Sequence, residues 1–166
     1  MKNADYQILD ADDSKTITGL LNTAQPEGIC VALNGDPADE DQRELILADG
    51  VRAHVLQRAA VAAADKDHLR EDRNVTNFRP PVIVGEASTA IRPRRMEVEG
   101  PALVDKDTAT RLLDGATPLD TELTTLAGKW AIRNTPASQE LAGWLRQIKA
   151  PVTTANGERF LIEVAQ

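Results

Sequence analysis

The sequence predicts a mainly β fold, and two observations carry the prediction. The closing third, from Thr121 to Val164, is a series of apolar segments cut at short intervals by Gly, Pro and Asn. Gly and Asn accept positive φ and Pro fixes its own, so apolar runs bounded this way read as hairpins. The second observation is turn chemistry at two places, Asp49-Gly50 after Leu45-Ile46-Leu47, and Asn156-Gly157 ahead of Phe160 to Val164. Both dipeptides favour tight hairpin turns.

At 166 residues the chain suits one domain with an appendage. Residues 1–25 are polar and acidic, with apolar islands at Tyr6-Gln7-Ile8-Leu9 and Ile17 to Leu21. They read as an extended N-terminal arm, either a frayed end or a segment that adds a strand to a partner's sheet. Residues 26–166 read as a single β-rich domain. Hydrophobic residues make up 42% of the chain and aromatics only 3%, so the core must be mostly Val, Ile, Leu and Ala. Few aromatics also weaken any reading that depends on base stacking.

The domain opens at Pro26-Glu27-Gly28. Ile29 to Leu33 is a short apolar run stopped by Asn34-Gly35-Asp36, a buried strand. Asp36 with Pro37 suits one helical turn. Leu45 to Leu47 is a strand, and Asp49-Gly50 is expected to turn it back. Val51 to Ala64 fits two patterns: Val51, Val55, Leu56, Ala59, Ala60 and Ala63 make a helical stripe, whereas placement after Asp-Gly favours a strand through His54, Val55 and Leu56, the first choice here. Asp65 to Arg73 mixes both signs of charge, as a solvated loop or helix face does. Its acids lack the spacing, Gly and terminal Glu of a calcium loop.

Asn77 to Pro81 must be extended, because each Pro disfavours helix at the residue before it. Val82 to Gly85 reads as a strand. Ile91 to Met96 carries three arginines within four residues, suited to phosphate or a partner's carboxylate, or to an ordinary exposed segment that balances nearby acids. Met96-Glu97-Val98-Glu99 alternates apolar and acidic residues, the pattern of a half-exposed strand. Pro101 to Val104 continues extended. Asp107 to Gly115 predicts one short helix, with Asp107 as cap and Gly115 as stop. Thr117 to Thr125 is strand or loop. Lys129 to Arg133 alternates, with Trp130 and Ile132 facing inward. Leu141, Trp144, Leu145 and Ile148 fall at helical spacing, although Gly143 between them costs about 1 kcal/mol relative to Ala in a helix. Helix and strand both remain open there. Arg159 to Val164 is the final strand.

A net charge of −7 suits solubility and disfavours a general role in binding phosphate backbones, and it is too mixed to mark a nucleic-acid mimic. The one cysteine, Cys30 between Ile29 and Val31, reads as a core residue and excludes an internal disulfide. With two widely spaced histidines it makes no zinc pattern. No run approaches the roughly 18 apolar residues of a membrane span, and the start lacks a signal core. The chain is expected to be soluble and made without a cleaved leader. No phosphate-binding glycine loop and no Gly-x-Ser-x-Gly elbow are present. His54 and His68 could each act as a base, but no nucleophile pattern accompanies them. The expectation is a protein that is not an enzyme, with no catalytic residue, cofactor or metal.

The order of segments in residues 26–166 resembles the capsid decoration proteins, the head-stabilising or cement proteins of tailed bacteriophages. It is carried by Gly28 to Asp36, Leu47 to Gly50, His54 to Arg58, Glu97 to Gly100, Thr121-Glu122-Leu123 with Ala127 to Trp130, Leu141 to Leu145, and Glu158 to Val164. The resemblance implies a small barrel-like β domain with short helices, a homotrimer that binds the major capsid protein on the capsid exterior and stabilises the head. It implies no direct contact with nucleic acid or membrane. It also implies that the N-terminal arm pairs with a capsid strand, making Tyr6, Ile8 and Leu9 the candidate capsid contacts. The charged stretch Asp65 to Arg73 and the basic one Arg92 to Arg95 depart from the smallest such proteins. The alternative is a small acidic inhibitor or immunity-type protein that covers a basic partner surface, which rests on the net charge.

Overall fold

A computed structural model of the chain describes residues 6–35, 43–63, 81–99, 103–114, 119–149 and 159–166. The expectations for Asp36 with Pro37, Asp65 to Arg73 with His68, Asn77 to Pro80, Pro101, Gly115 to Pro118 and Asn156-Gly157 lie outside these residues.

The fold is mainly β. Eleven strands are described: β1 (Tyr6–Leu20), β2 (Cys30–Leu33), β3 (Leu45–Leu47), β4 (His54–Leu56), β5 (Ala60–Val61), β6 (Val82–Ile83), β7 (Ala87–Glu99), β8 (Glu122–Leu126), β9 (Lys129–Ile132), β10 (Gly143–Lys149) and β11 (Arg159–Val164). One short helix, α1 (Lys106–Leu113), precedes β8. Nine strands form one sheet in the order β3-β2-β4-β7-β11-β10-β8-β9, with β1 added on β7, while β5 and β6 form a small parallel pair. The sheet curls into a half-barrel. A bridge between Leu20 and Glu44, with Leu20 N donating to Arg43 O at 2.8 Å, draws the end of β1 to the start of β3.

β7 is the strand the others share. Its first half pairs with β4 (Val55 with Ile91, Leu56 with Ala90), and its second half pairs with β11 from Arg95 to Glu99. The change of partner falls at Arg92-Pro93-Arg94, and Pro93 has no N–H to offer a neighbour. The gap is filled by side chains. Arg92 Nε donates to Ala53 O at 3.2 Å and Arg92 Nη2 approaches His54 Nδ1 at 3.4 Å. Gln166 Nε2 donates to Pro93 O at 3.0 Å, and Arg52 Nη1 donates to Gln166 O at 2.9 Å. Burial, reinforced by the positive charges of Arg92 and Lys15, lowers the His54 pKa to about 4. The ring is therefore neutral at pH 7 and able to accept from Arg92.

β1 runs antiparallel to β7, from Tyr6 opposite Val98 to Leu20 opposite Ala87, with register shifts at Ile8/Asp10, Asp10/Ala11 and Ala11/Thr16. The stretch expected to reach out as an arm is thus hydrogen-bonded to its own sheet. The pairing matches the apolar islands at either end of β1 to the apolar ends of β7 and lets the polar middle bulge.

The Asp49-Gly50 turn does not join a hairpin. β3 and β4 lie on opposite sides of β2, with Leu47 opposite Val31 and Val55 opposite Cys30. Ala48 to Gly50 instead receives the β8–β9 turn, where Ala127 (φ 48°) and Gly128 (φ 83°) both take positive φ, as a two-residue hairpin of this hand requires. Gly128 N donates to Ala48 O at 2.8 Å, Ala127 N to Asp49 Oδ1 at 3.3 Å, and Gly50 N to Thr125 O at 2.7 Å. A side chain at Gly128 would strike Ile29 and Leu47.

The helix cap is Asp105, two residues before the expected Asp107. Asp105 Oδ2 accepts from Thr108 N at 3.0 Å, and Thr108 Oγ1 in turn accepts from Ile132 N at 3.1 Å. Cap and helix together cover the outer edge of β9, helped by Asp105 N donating to Trp130 O at 2.9 Å. Trp130, Phe160, Leu45, Leu56, Met96, Leu103, Leu123, Leu145 and Ile162 fill the core. Cys30 is fully buried, and burial pushes its thiol pKa up.

The stretch Leu141 to Ile148 resolves as strand rather than helix: β10 begins at Gly143, and Leu141 and Ala142 lead into it. Gly143 lies opposite Val164 on one side and Leu123 on the other, and a Cβ there would come within 2.5 Å of the Glu163 backbone oxygen. The glycine therefore permits the close approach of β11, and the helical spacing around it is coincidental.

The Met96 to Glu99 alternation was expected to leave its acids exposed, yet Glu97 is only 6% and Glu99 0% exposed. The reason is Arg159, itself 7% exposed, whose Nη1 lies 3.5 Å from Glu97 Oε2 and whose Nε lies 3.2 Å from Glu99 Oε1. The second approach is an ionic contact outside hydrogen-bonding geometry. Burying two carboxylates is tolerable only beside a cation of this kind.

Three outcomes are expected. Gly143→Ala should lower unfolding free energy by about 1–3 kcal/mol in urea, since backbone rather than a flexible side chain must give way. Arg159→Met should cost about 3–5 kcal/mol, and replacing all three charged residues by apolar ones should recover most of that loss. The depressed His54 pKa makes the unfolded chain bind more protons between pH 6.5 and about 4, so its contribution is present above that window and lost as pH falls through it. Allowing for the ring's partial exposure, stability should fall by on the order of 1 kcal/mol between pH 7 and 4 relative to His54→Gln. Urea midpoints of the two proteins across that range measure it.

Candidate interaction surface

The residues singled out on β1 have different surroundings. Tyr6 is 7% exposed, its ring resting over Gly28 and its hydroxyl 3.5 Å from Gln57 O. Ile8, opposite Met96, is half-buried against the core. Only Leu9 is open, at 41% exposure. It is the extra residue where the register shifts between Ile8 and Asp10, and a bulge of this kind re-aims its side chain. Tyr6 and Ile8 anchor β1 to its own domain, leaving Leu9 as the one of the three placed to meet a partner.

Leu9 borders a row of charges that crosses the outer face of the sheet. Asp10 lies opposite Arg95, Arg95 opposite Glu163, and Glu163 opposite Trp144 on four successive strands. Arg95 Nη2 is 4.0 Å from Asp10 Oδ2. Arg146 is the extra residue at the β10 register shift between Leu145 and Gln147. Its Nη2 is 2.6 Å from Glu163 Oε2, and its Nη1 donates to Asp120 Oδ1 at 2.5 Å. The hydrogen bonds it donates to Asp120 and then Glu163 raise its pKa. The guanidinium carbon also stands 5.4 Å from the centre of the Trp144 ring.

Signs therefore alternate across the strands, from Asp10 through Arg95, Glu163 and Arg146 to Asp120, with apolar Leu9 at one end and the Trp144 ring at the other. Single exposed pairs of this kind contribute little to stability. Together they hold long side chains in fixed positions, which lowers the entropy lost when a partner docks. Arginine and tryptophan are also the residue types that dominate binding energy at protein interfaces. Sequence reading separated these residues; the two bulges and the long-range strand pairing that unite them leave no local signal.

The basic stretch divides. Arg92 is half-buried in the gap beside His54, while Arg94 and Arg95 face outward. Arg92 and Lys15, the charges that act on His54, are cations, the wrong sign to orient it as a general base. Among the described residues no group of three or more His, Cys, Asp or Glu is placed to hold a metal ion, and no helix is long and apolar enough to cross a membrane.

No protein-family model and no curated protein sequence matches the chain. Among solved structures it is similar to the N base of the head fiber protein gp8.5 of bacteriophage phi29, with 10% sequence identity, 90% of this chain and 92% of that one covered, and a TM-score of 0.44. Similarity at that level is a likeness of outline and assigns no activity to this chain.

Proposed function

We propose that this chain is a structural, non-enzymatic protein of a phage particle that binds the outside of an assembled capsid and stabilises it. The observation that carries the reading is the outer face of β1, β7, β11 and β10. It presents prearranged charges of both signs, framed by Leu9 and Trp144, on a rigid sheet. The segment order of residues 26–166, which resembles that of decoration proteins, supports the same reading. The outline likeness to the head fiber base is not counted toward it.

In this mechanism the protein acts by burying surface. A homotrimer spans neighbouring copies of the major capsid protein near a local threefold axis, so that opening the shell also breaks its contacts. Strand addition by the first residues is not required, because β1 is used within the domain. Leu9, Trp144 and Arg95 make the contact. Neither nucleic acid nor membrane takes part. The face described is of mixed sign, and the acidic-inhibitor reading draws no specific support from it.

Capsids assembled without the protein provide the test. Saturable binding, a higher temperature of head disruption and better survival in chelator are expected, together with a solution mass of three 18.0 kDa protomers. The triple variant Leu9→Asp, Arg95→Glu, Trp144→Ala should bind at least ~10-fold more weakly, as loss of central anchors does. No saturable binding and no gain in heat or chelator resistance would overturn the proposal.

A further inference from the structure

One cavity stands apart from the outer face. It opens where the ends of β4, β6 and β7 meet, at one end of the curled sheet, and has a volume of about 270 Å³. Its described lining is Gln57, Arg58, Val82, Ala87, Ser88 and Thr89. The mouths of curled β sheets are common places for small ligands.

Three features of this lining point to one chemistry. The only ionisable side chain among the described lining residues is Arg58, so the described lining carries positive charge within a chain of net charge −7. Arg58 is exposed and has no carboxylate partner among the described residues. Ser88 is 3% exposed, and its hydroxyl is buried with no hydrogen-bond partner among the described residues. Native folds leave few buried hydroxyls unsatisfied, and each such group asks what completes it. A hydroxyl donor and a guanidinium that line one cavity are matched by an oxyanion, which can accept from both.

We propose that this cavity binds a carboxylate or a similarly sized oxyanion, held by Arg58 and the Ser88 hydroxyl. Its volume holds a few heavy atoms with their water, since one water occupies about 30 Å³ in the liquid. That fits either a small free acid or an Asp or Glu side chain offered by a partner. The site is separate from the capsid-facing surface, so it stands or falls independently of capsid binding.

The experiment is amide chemical-shift mapping of the full chain during titration with acetate, inorganic phosphate and a short capped peptide with one central Glu. Methylammonium is the control cation. Saturable shifts centred on residues 57–58 and 87–89 are expected for at least one of the oxyanions, with dissociation constants on the order of 1 mM. Ser88→Ala and Arg58→Gln should each weaken binding about fivefold or more. Ser88→Ala removes one oxygen from a buried position and Arg58→Gln alters an exposed one, and unchanged amide spectra elsewhere will show that both variants fold. Tighter binding of the peptide than of acetate identifies a partner side chain as the source. Equal or tighter binding of acetate or phosphate identifies a free ligand. The proposal is overturned if the shifts do not saturate, if methylammonium produces the same shifts, or if both variants bind as the parent does.

Discussion

A strand of 13 residues has two edges of backbone donors and acceptors to satisfy, and the way β7 meets that demand organises the domain. Along one edge it pairs with β1 near both ends, across a bulged middle. Along the other it is divided between β4 and β11, and the division falls at Pro93. Because proline brings no donor, the break leaves less to satisfy than it would at any other residue. Arg92 and Gln166 supply what remains, bonding to Ala53 O and Pro93 O across the gap. The two sub-sheets on either side therefore share a strand without sharing a second edge, and the sheet can curl.

The same strand couples core and surface. Its inward residues Met96 and Val98 meet Ile162 and Phe160 on β11, while Glu97, Glu99 and Arg95 point the other way. Two of those outward residues are buried with Arg159, and the third joins the exposed charge row with Asp10 and Glu163. Charge is thus used in two settings on one strand. The buried ion cluster favours the correct β7–β11 register, because a one-residue slip would separate the carboxylates from Arg159. The exposed row adds little to stability and is more useful as a fixed pattern for recognition.

Sequence reasoning reached the parts of this fold that are local. The β2 run Ile29 to Leu33, the alternation of Lys129 to Arg133 and the final strand Arg159 to Val164 carry their own signals, and α1 forms where expected with its cap two residues early. Features that depend on distant partners were not legible. Leu141, Trp144, Leu145 and Ile148 mimic helical spacing because β10 carries apolar residues on both faces, buried Leu145 and half-buried Ile148 opposite Ile162 and Phe160 and half-buried Trp144 opposite Glu163, while Leu141 precedes the strand. Asp49-Gly50 has turn chemistry, but the hairpin it serves is β8–β9, far along the chain. Glu97 and Glu99 read as solvent-facing because nothing nearby announces Arg159. The candidate surface was illegible for the same reason: Leu9 was identified, whereas Arg95, Arg146 and Trp144 join it only through pairing across four strands.

The central claim is that the outer face of β1, β7, β11 and β10 seats this protein on a capsid. A cryo-electron microscopy reconstruction of capsids saturated with the protein tests it most directly. The account predicts ordered density on the capsid exterior, in groups of three, with Leu9, Arg95 and Trp144 turned toward the shell. Density with that face directed to solvent, or no ordered density at saturating concentration, would contradict it.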